Sequence, residues 1–159
     1  MEPGNHAGIR SRTLGEIGFV FAVAPHHPLA QAAQPLSDDV IRRHRAVAVA
    51  DSVTRGNGLT LGLLAGQDVL TVPTMRAKLD AQLRGLGAGN LPEPLARPFI
   101  ETGRLVALRL ERPNRVVSPG YAWRDAGRPG RALQWWLDRL ERPATRDALL
   151  QRQAGPTFS

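Results

Sequence analysis

The stretch DVLTVPTMRAKLDAQLRGLGAGNLP, from Asp68 to Pro92, predicts a complete strand, helix and strand unit. It opens with a short apolar, β-prone run over residues 69–72, and Pro73 followed by Thr74 is typical of a helix start. The glycine-rich run over residues 85–89 predicts the end of the helix and a tight passage into the next strand. A helix that begins at the end of a strand offers free N–H groups to a small anion.

The helix of this unit is predicted to be amphipathic. Its apolar residues recur at helical spacing and form one stripe, Met75, Leu79, Leu83 and Leu86. The other side is predicted to be formed by Arg76, Lys78, Asp80 and Arg84. We therefore expect the apolar stripe to pack against a sheet and the charged side to meet solvent.

Composition excludes several classes of protein. The chain has 159 residues, enough for one domain or two small lobes, and it has no cysteine for a disulfide or a thiolate metal site. Its formal charge is +7, and all of its 21 basic residues except Lys78 are arginines. These arginines are scattered without a dense block, which does not favour direct nucleic-acid binding.

No apolar stretch approaches membrane-spanning length, so no membrane association and a cytoplasmic location are expected.

Short strands alternate with helices along the rest of the chain, which predicts an α/β fold with a mostly parallel sheet. Residues 17–24 are predicted to form a buried strand, residues 37–44 a helix capped by Ser37, and residues 46–50 the next strand. Residues 1–13 are predicted to be a flexible lead and residues 143–159 a flexible tail. In the helix predicted over residues 131–140, Trp136 is expected to be buried and Trp135 to meet a neighbouring surface.

Five segments in order resemble the effector-binding domain of LysR-type transcriptional regulators. The first is the opening unit itself, in which Thr71 to Pro92 reads TVPTMRAKLDAQLRGLGAGNLP. The others are LGEIGFVFAVAPHHPLA from Leu14, PLSDDVIRRHRAVAVADS from Pro35, LARPFIETGRLVALRL from Leu95, and GYAWR with RPGRALQWWLDRL between Gly120 and Leu140.

The resemblance implies a type 2 periplasmic-binding-protein-like fold, in which two α/β lobes are joined by crossover strands. Residues 14–142 would form a partial effector-binding domain, with a nearly complete second lobe over about 25–103 and part of the other lobe. The resemblance further implies a truncated regulator that lacks the winged helix-turn-helix, so that DNA is contacted only through that absent domain. It implies a small, anionic effector held between the lobes, a homodimer or homo-oligomer, no cofactor and no enzymatic activity.

Candidate effector contacts lie where strands end. Thr71 and Thr74 flank the strand-to-helix turn, where a hydroxyl and free N–H groups suit a carboxylate, although Thr74 also suits a plain helix cap. Ser52 and Thr54 follow the strand over 46–50, at a turn that faces the cleft in the family. Asn90 near the next strand is a further candidate, although tight packing and a turn explain it better than ligand contact does.

Two alternatives remain open at this point. One alternative is a small α/β hydrolase or transferase that works with Ser52 or Asp51 and a histidine. The other is a solute-binding protein of the same fold. No G-x-S-x-G elbow surrounds Ser52, so no catalytic residue is assigned. His26 and His27 lack a third ligand at a supporting spacing, so no metal site is predicted.

Overall fold

The computed structural model describes residues 8–50, 63–125 and 127–151, which belong to two compact units. The larger unit spans Gly18–Arg115, and the smaller one combines the residues up to Ile17 with those from Val116 onward. Among the described residues, no helix has both the length and the apolar character needed to cross a bilayer.

Strands and helices alternate along the chain. The strands are β1 (Ile9–Thr13), β2 (Ile17–Val23), β3 (Ala46–Val49), β4 (Val69–Val72), β5 (Gly89–Pro92), β6 (Val106–Leu108), β7 (Val116–Val117) and β8 (Gly120–Arg124). The α-helices are α1 (Asp38–Arg42), α2 (Met75–Leu83), α3 (Glu93–Glu101), α4 (Arg131–Glu141) and α5 (Pro143–Gln151). A 3-10 helix covers Pro28–Gln31.

The larger unit contains both antiparallel and parallel strand pairs. β2 pairs antiparallel with β5 and with β6, so that Phe21 lies opposite Asn90 on one side and Leu108 on the other. β3 pairs in parallel with β4, and a parallel bridge joins Ala46 to Ala88 just before β5. The prediction of a mostly parallel sheet is therefore wrong for β2, which pairs antiparallel with both β5 and β6. α2 returns the chain between β4 and β5, and the strands β3, β4, β5 and β6 all run in one direction, whereas β2 runs against them.

The core lies on both faces of this sheet because successive residues of β2 point to opposite sides. Phe21 and Val23 pack on one face with Ile41 of α1. Ala22 packs on the other face with Leu79 of α2, beside residues of α3. The site described below lies on this second face.

The predicted helix starts are confirmed by their caps. The Ser37 hydroxyl accepts the Val40 N–H at 3.4 Å and begins α1.

At the end of α2, Gly85 has φ +74, a left-handed conformation that favours glycine. The N–H groups of Gly85 and Leu86 donate back to carbonyls of the last helical turn, each at 3.0 Å, which is a Schellman ending. Leu86, predicted in the apolar stripe, is instead 49% exposed because the chain has left the helix before it.

Both ends of the chain that were predicted to be flexible contain regular secondary structure in the smaller unit. Residues 9–13, predicted as part of a flexible lead, form β1, which pairs antiparallel with β8 from Ile9 opposite Arg124 to Thr13 opposite Gly120. Its partner lies near the other end of the sequence, so no local pattern indicated the pairing. The tail is helical over Pro143–Gln151, where proline occupies a position that tolerates its missing N–H. Residues 152–159 of the predicted tail lie outside the described residues.

The tryptophan pair of α4 also differs from expectation. Trp136, expected to be buried, is 57% exposed, and Trp135 is 54% exposed. The two rings pack edge to face with centroids 4.9 Å apart, and the Arg139 guanidinium lies 5.5 Å from the Trp135 ring centroid. The leucines of α4 take the half-buried side instead, since adjacent residues on a helix point about 100° apart.

Candidate functional site

The candidate site begins where β4 leads into α2. Thr74 is the N-cap of α2, and its Oγ1 accepts the Ala77 N–H at 3.1 Å. The side chain is exposed, and the hydroxyl proton is still available to a bound anion. The first N–H groups of a helix have no intrahelical acceptor and carry partial positive charge. The capping role proposed for Thr74 is therefore confirmed. The cap uses the Ala77 amide, so the hydroxyl proton and the amides of Met75 and Arg76 are the donors without an acceptor within the helix.

The strand register places two other predicted contacts, Thr71 and Asn90, on the face of the sheet that α2 does not cover. Thr71 lies opposite Ala48, and the parallel bridge at Ala46 and Ala88 aligns Ala48 with Asn90 on the same face. α2 packs on the opposite face, where Gly89 approaches it. Thr71 and Asn90 thus point away from the helix that Thr74 begins.

Two further predicted contacts cannot be placed. Ser52 and Thr54, together with the Asp51 of the enzyme alternative, lie outside the described residues.

Lys78 is the residue that the sequence pattern misassigned. Predicted on the solvent side of α2, it is only 5% exposed. A Cβ atom built on Gly89 would lie 3.2 Å from the Lys78 ammonium and 3.2 Å from the Val47 carbonyl oxygen, so the ammonium reaches the sheet between β3 and β5. In the described part of the chain, no hydrogen bond or ion pair is made by this ammonium.

Burial sets the protonation of this ammonium. Desolvation lowers the pKa of Lys78 from 10.5 to about 8, and no neighbouring charge opposes that shift in the described residues. An unpaired buried cation is unfavourable, because the surrounding protein replaces water without supplying a counter-charge. The side chain is still mostly ionised at neutral pH.

Gln82 lies one turn after Lys78 on the same face and fixes the helix to the sheet. It is fully buried, and its Nε2 donates to the Ala22 carbonyl at 2.6 Å and to the Gly89 carbonyl at 3.0 Å. Its Oε1 has no hydrogen-bond partner among the described atoms. Lys78 and Gln82 therefore form a polar row within an otherwise apolar interface.

The sequence contains a signal that Lys78 and Gln82 lie on the buried face of α2. Lys78 and Gln82 follow Met75 at three and seven residues, the spacings of a buried helix face, and Lys78 is the single lysine in an arginine-rich chain.

The histidines of the larger unit have structural partners. The buried His27 accepts the Leu29 N–H on its Nδ1 at 3.2 Å and caps the 3-10 helix. Burial lowers the pKa of His27, with further lowering by the nearby His44 and His26. Over residues 8–50, 63–125 and 127–151, no group of three His, Asp or Glu side chains is arranged to hold a metal ion.

Comparison with known proteins shows which protein family this chain is similar to. The family model of the LysR substrate binding domain matches residues 1–144. The uncharacterized HTH-type transcriptional regulator YeeY of Escherichia coli K12 is 35% identical over 139 residues, covering 87% of this chain and 45% of that protein. The chain thus spans less than half of the length of this relative.

Solved structures agree on the fold. The regulatory domain of MetR, a LysR family regulator from N. meningitidis, superposes with a TM-score of 0.68 at 16% identity, over 93% of this chain and 68% of that one. Full-length LysG from Corynebacterium glutamicum with bound effector Arg superposes with a TM-score of 0.64 at 23% identity, over 92% of this chain and 48% of that one. The predicted α/β, type 2 periplasmic-binding-protein-like fold is confirmed.

Proposed function

Since the chain belongs to the LysR substrate-binding-domain family, whose model matches residues 1–144, we propose that it is the effector-sensing part of a transcriptional regulator. The effector is a small anion that binds at the start of α2. The observation that carries this proposal is the exposed Thr74 cap, which combines a hydroxyl proton with the first-turn amides at the end of a strand.

The predicted contacts divide into two groups under this proposal. Thr74 is the primary contact, and Ser52 and Thr54 are retained because they follow β3, the strand beside β4. Thr71 and Asn90 face the other side of the sheet, so one small ligand on Thr74 is not expected to reach both.

Regulation would follow from a difference in affinity between two conformations of the regulator. An effector that binds one conformation more tightly shifts the population toward it. We further propose that the regulator is a cytoplasmic homodimer without enzymatic activity, and that a helix-turn-helix domain makes its contact with DNA. Support comes from the relatives, such as YeeY, which are named as helix-turn-helix regulators.

The proposal is tested by amide chemical shifts of this chain during titration with sodium acetate and sodium succinate. We expect saturable shifts at the amides of residues 74–77 with the carboxylates, and none with the uncharged acetamide and succinamide. Thr74→Val should weaken the response severalfold, whereas Thr71→Val, the matched control on the other face, should leave it unchanged. Equal weakening by both variants, or no saturable shift at these amides, rejects an anion site at the start of α2.

A further inference from the structure

The smaller unit has almost no core of its own. Ile17 is the single buried side chain among its described residues, whereas the larger unit has the two buried clusters on the two faces of β2. Neither α4 nor α5 buries a residue. Burial of apolar surface is the main favourable contribution to folding, so these elements gain little stability from one another. The smaller unit therefore has the properties of one part of a folded body.

Exposed apolar side chains are concentrated in the same unit. Six large apolar residues of the described chain are at least 45% exposed, and five of them belong to the smaller unit, namely Ile9, Val116, Trp135, Trp136 and Leu149. The two tryptophans pack against each other and form one aromatic surface on α4. Exposed apolar patches mark interaction sites, and tryptophan is among the residues that contribute most to protein interfaces. The Trp135–Trp136 pair is therefore the centre of a contact surface.

The ribbon formed by β1 and β8 is also incomplete. Within the described residues the two strands pair only with each other, so each has an unpaired outer edge. On one face of the ribbon, Arg12 pairs with Glu141 of α4. The residues that point the other way, Ile9, Thr13 and Ala122, are exposed. An isolated two-stranded ribbon is at best marginally stable in water, so this one requires further strands or a covering element.

The solved structures indicate what covers these surfaces. The chain matches 68% of the MetR regulatory domain, so about a third of that domain has no counterpart in it. A regulatory domain of this fold thus contains further polypeptide in addition to the elements of the two units. The larger unit already has its two cores, whereas the smaller unit has unpaired strand edges and bare apolar side chains.

We propose that the smaller unit is the docking surface for a polypeptide equivalent to that unmatched third of a regulatory domain. The partner adds a strand to an outer edge of the β1–β8 ribbon and covers the Trp135–Trp136 pair. Strand addition satisfies the N–H and C=O groups of an edge, and apolar side chains of the partner bury the indole rings. This inference rests on the family and on the exposed surfaces, and it does not depend on an anion site at the start of α2.

Hydrogen exchange of the free chain tests whether the smaller unit is incomplete. We expect the amides of β1, β8 and α4 to exchange about 100-fold faster than those of β2, β5 and α2, because elements with few buried contacts open more readily. Equal protection of both sets of amides in a monomeric chain would show that the smaller unit is complete, and it would overturn the proposal.

Addition of a partner tests what covers the surface. The probe is YeeY from which the segment matched by this chain has been removed, since this relative is 35% identical to the chain. In a one-to-one complex the amides of β1, β8 and α4 should become protected about tenfold or more, and tryptophan emission should move to shorter wavelength. No protection by the probe overturns the proposal. Protection that rises with the concentration of the chain alone, with a dimer mass in ultracentrifugation, assigns the surface to a second copy and also overturns it.

Variants locate the contact. Trp135→Ser and Trp136→Ser should each weaken binding of the probe about tenfold or more, as truncation of a central interface tryptophan does. Leu86→Ser is the matched control, because Leu86 is 49% exposed on the larger unit, and it should leave binding unchanged. Protection of the β2 amides reports whether each variant keeps its fold. Equal weakening by all three variants, or by none, refutes a contact centred on the tryptophans.

Discussion

Replacing Lys78 with methionine should make the chain more stable. Methionine has a similar length and volume to lysine and no charge, so it fills the same space between α2 and the sheet without a buried ammonium. A lysine that served the fold would give the opposite result, since its removal would destabilise the protein.

The magnitude follows from the pKa of Lys78, which burial lowers from 10.5 to about 8. Each pKa unit corresponds to about 1.4 kcal/mol, so ionised Lys78 reduces the free energy of unfolding by about 3 kcal/mol. This destabilisation is fully present below pH 8, where both the folded and the unfolded chain are protonated. Between pH 8 and pH 10.5 the unfolded chain holds more protons, so the stability of the wild-type chain rises with pH.

Urea unfolding of the wild type and of Lys78→Met at pH 7, 9 and 10.5 measures this difference directly. We expect the variant to be more stable by about 3 kcal/mol at pH 7 and the difference to close as pH approaches 10.5. Arg76→Met controls for the loss of a positive charge on the same helix. A variant less stable than the wild type at pH 7, or a difference that does not change with pH, would refute the reasoning.

The remaining predictions concern the contacts that hold α2 in place. Thr74→Ala should lower the free energy of unfolding by about 1 kcal/mol through loss of the cap, and Thr74→Ser should restore it, as urea unfolding would show. Gln82→Met should destabilise by about 1–3 kcal/mol, because the Ala22 and Gly89 carbonyls lose their buried donor; an unchanged urea midpoint would contradict this. Gly85→Ala should destabilise by about 1–2 kcal/mol from the left-handed backbone alone, and by more because its Cβ would collide with His26 Nε2. The double variant with His26→Ala should recover part of the Gly85→Ala loss in thermal unfolding, and full additivity would argue against the collision.

Local chemistry explains the elements that the sequence predicted correctly. Ser37 and Thr74 each begin a helix by accepting an N–H from the first turn, and that preference is a property of a few adjacent residues. Gly85 ends α2 because glycine tolerates a positive φ. The overall architecture came from the family resemblance, whose ordered segments carry information that spacing alone does not.

Features that depend on distant partners were not predictable in the same way. β1 forms only because Ile9 to Thr13 meet β8, far along the chain, and the direction of β2 depends on β5 and β6. Lys78 was assigned to solvent by residue type, yet its exposure is decided by the approach of Gly89 and Val47 from the sheet.

A lysine is tolerated at this buried position more easily than an arginine would be. Every other basic residue of the chain is an arginine, so the general composition of the chain does not account for Lys78. Arginine keeps its proton under all physiological conditions, and burying it without a partner would leave a permanent uncompensated charge. A buried lysine can instead release its proton near pH 8 and so relieve the cost of the buried charge. Lysine is thus the basic side chain whose charge this buried position can give up as the pH rises, which is why the stability difference between the wild type and Lys78→Met should depend on pH.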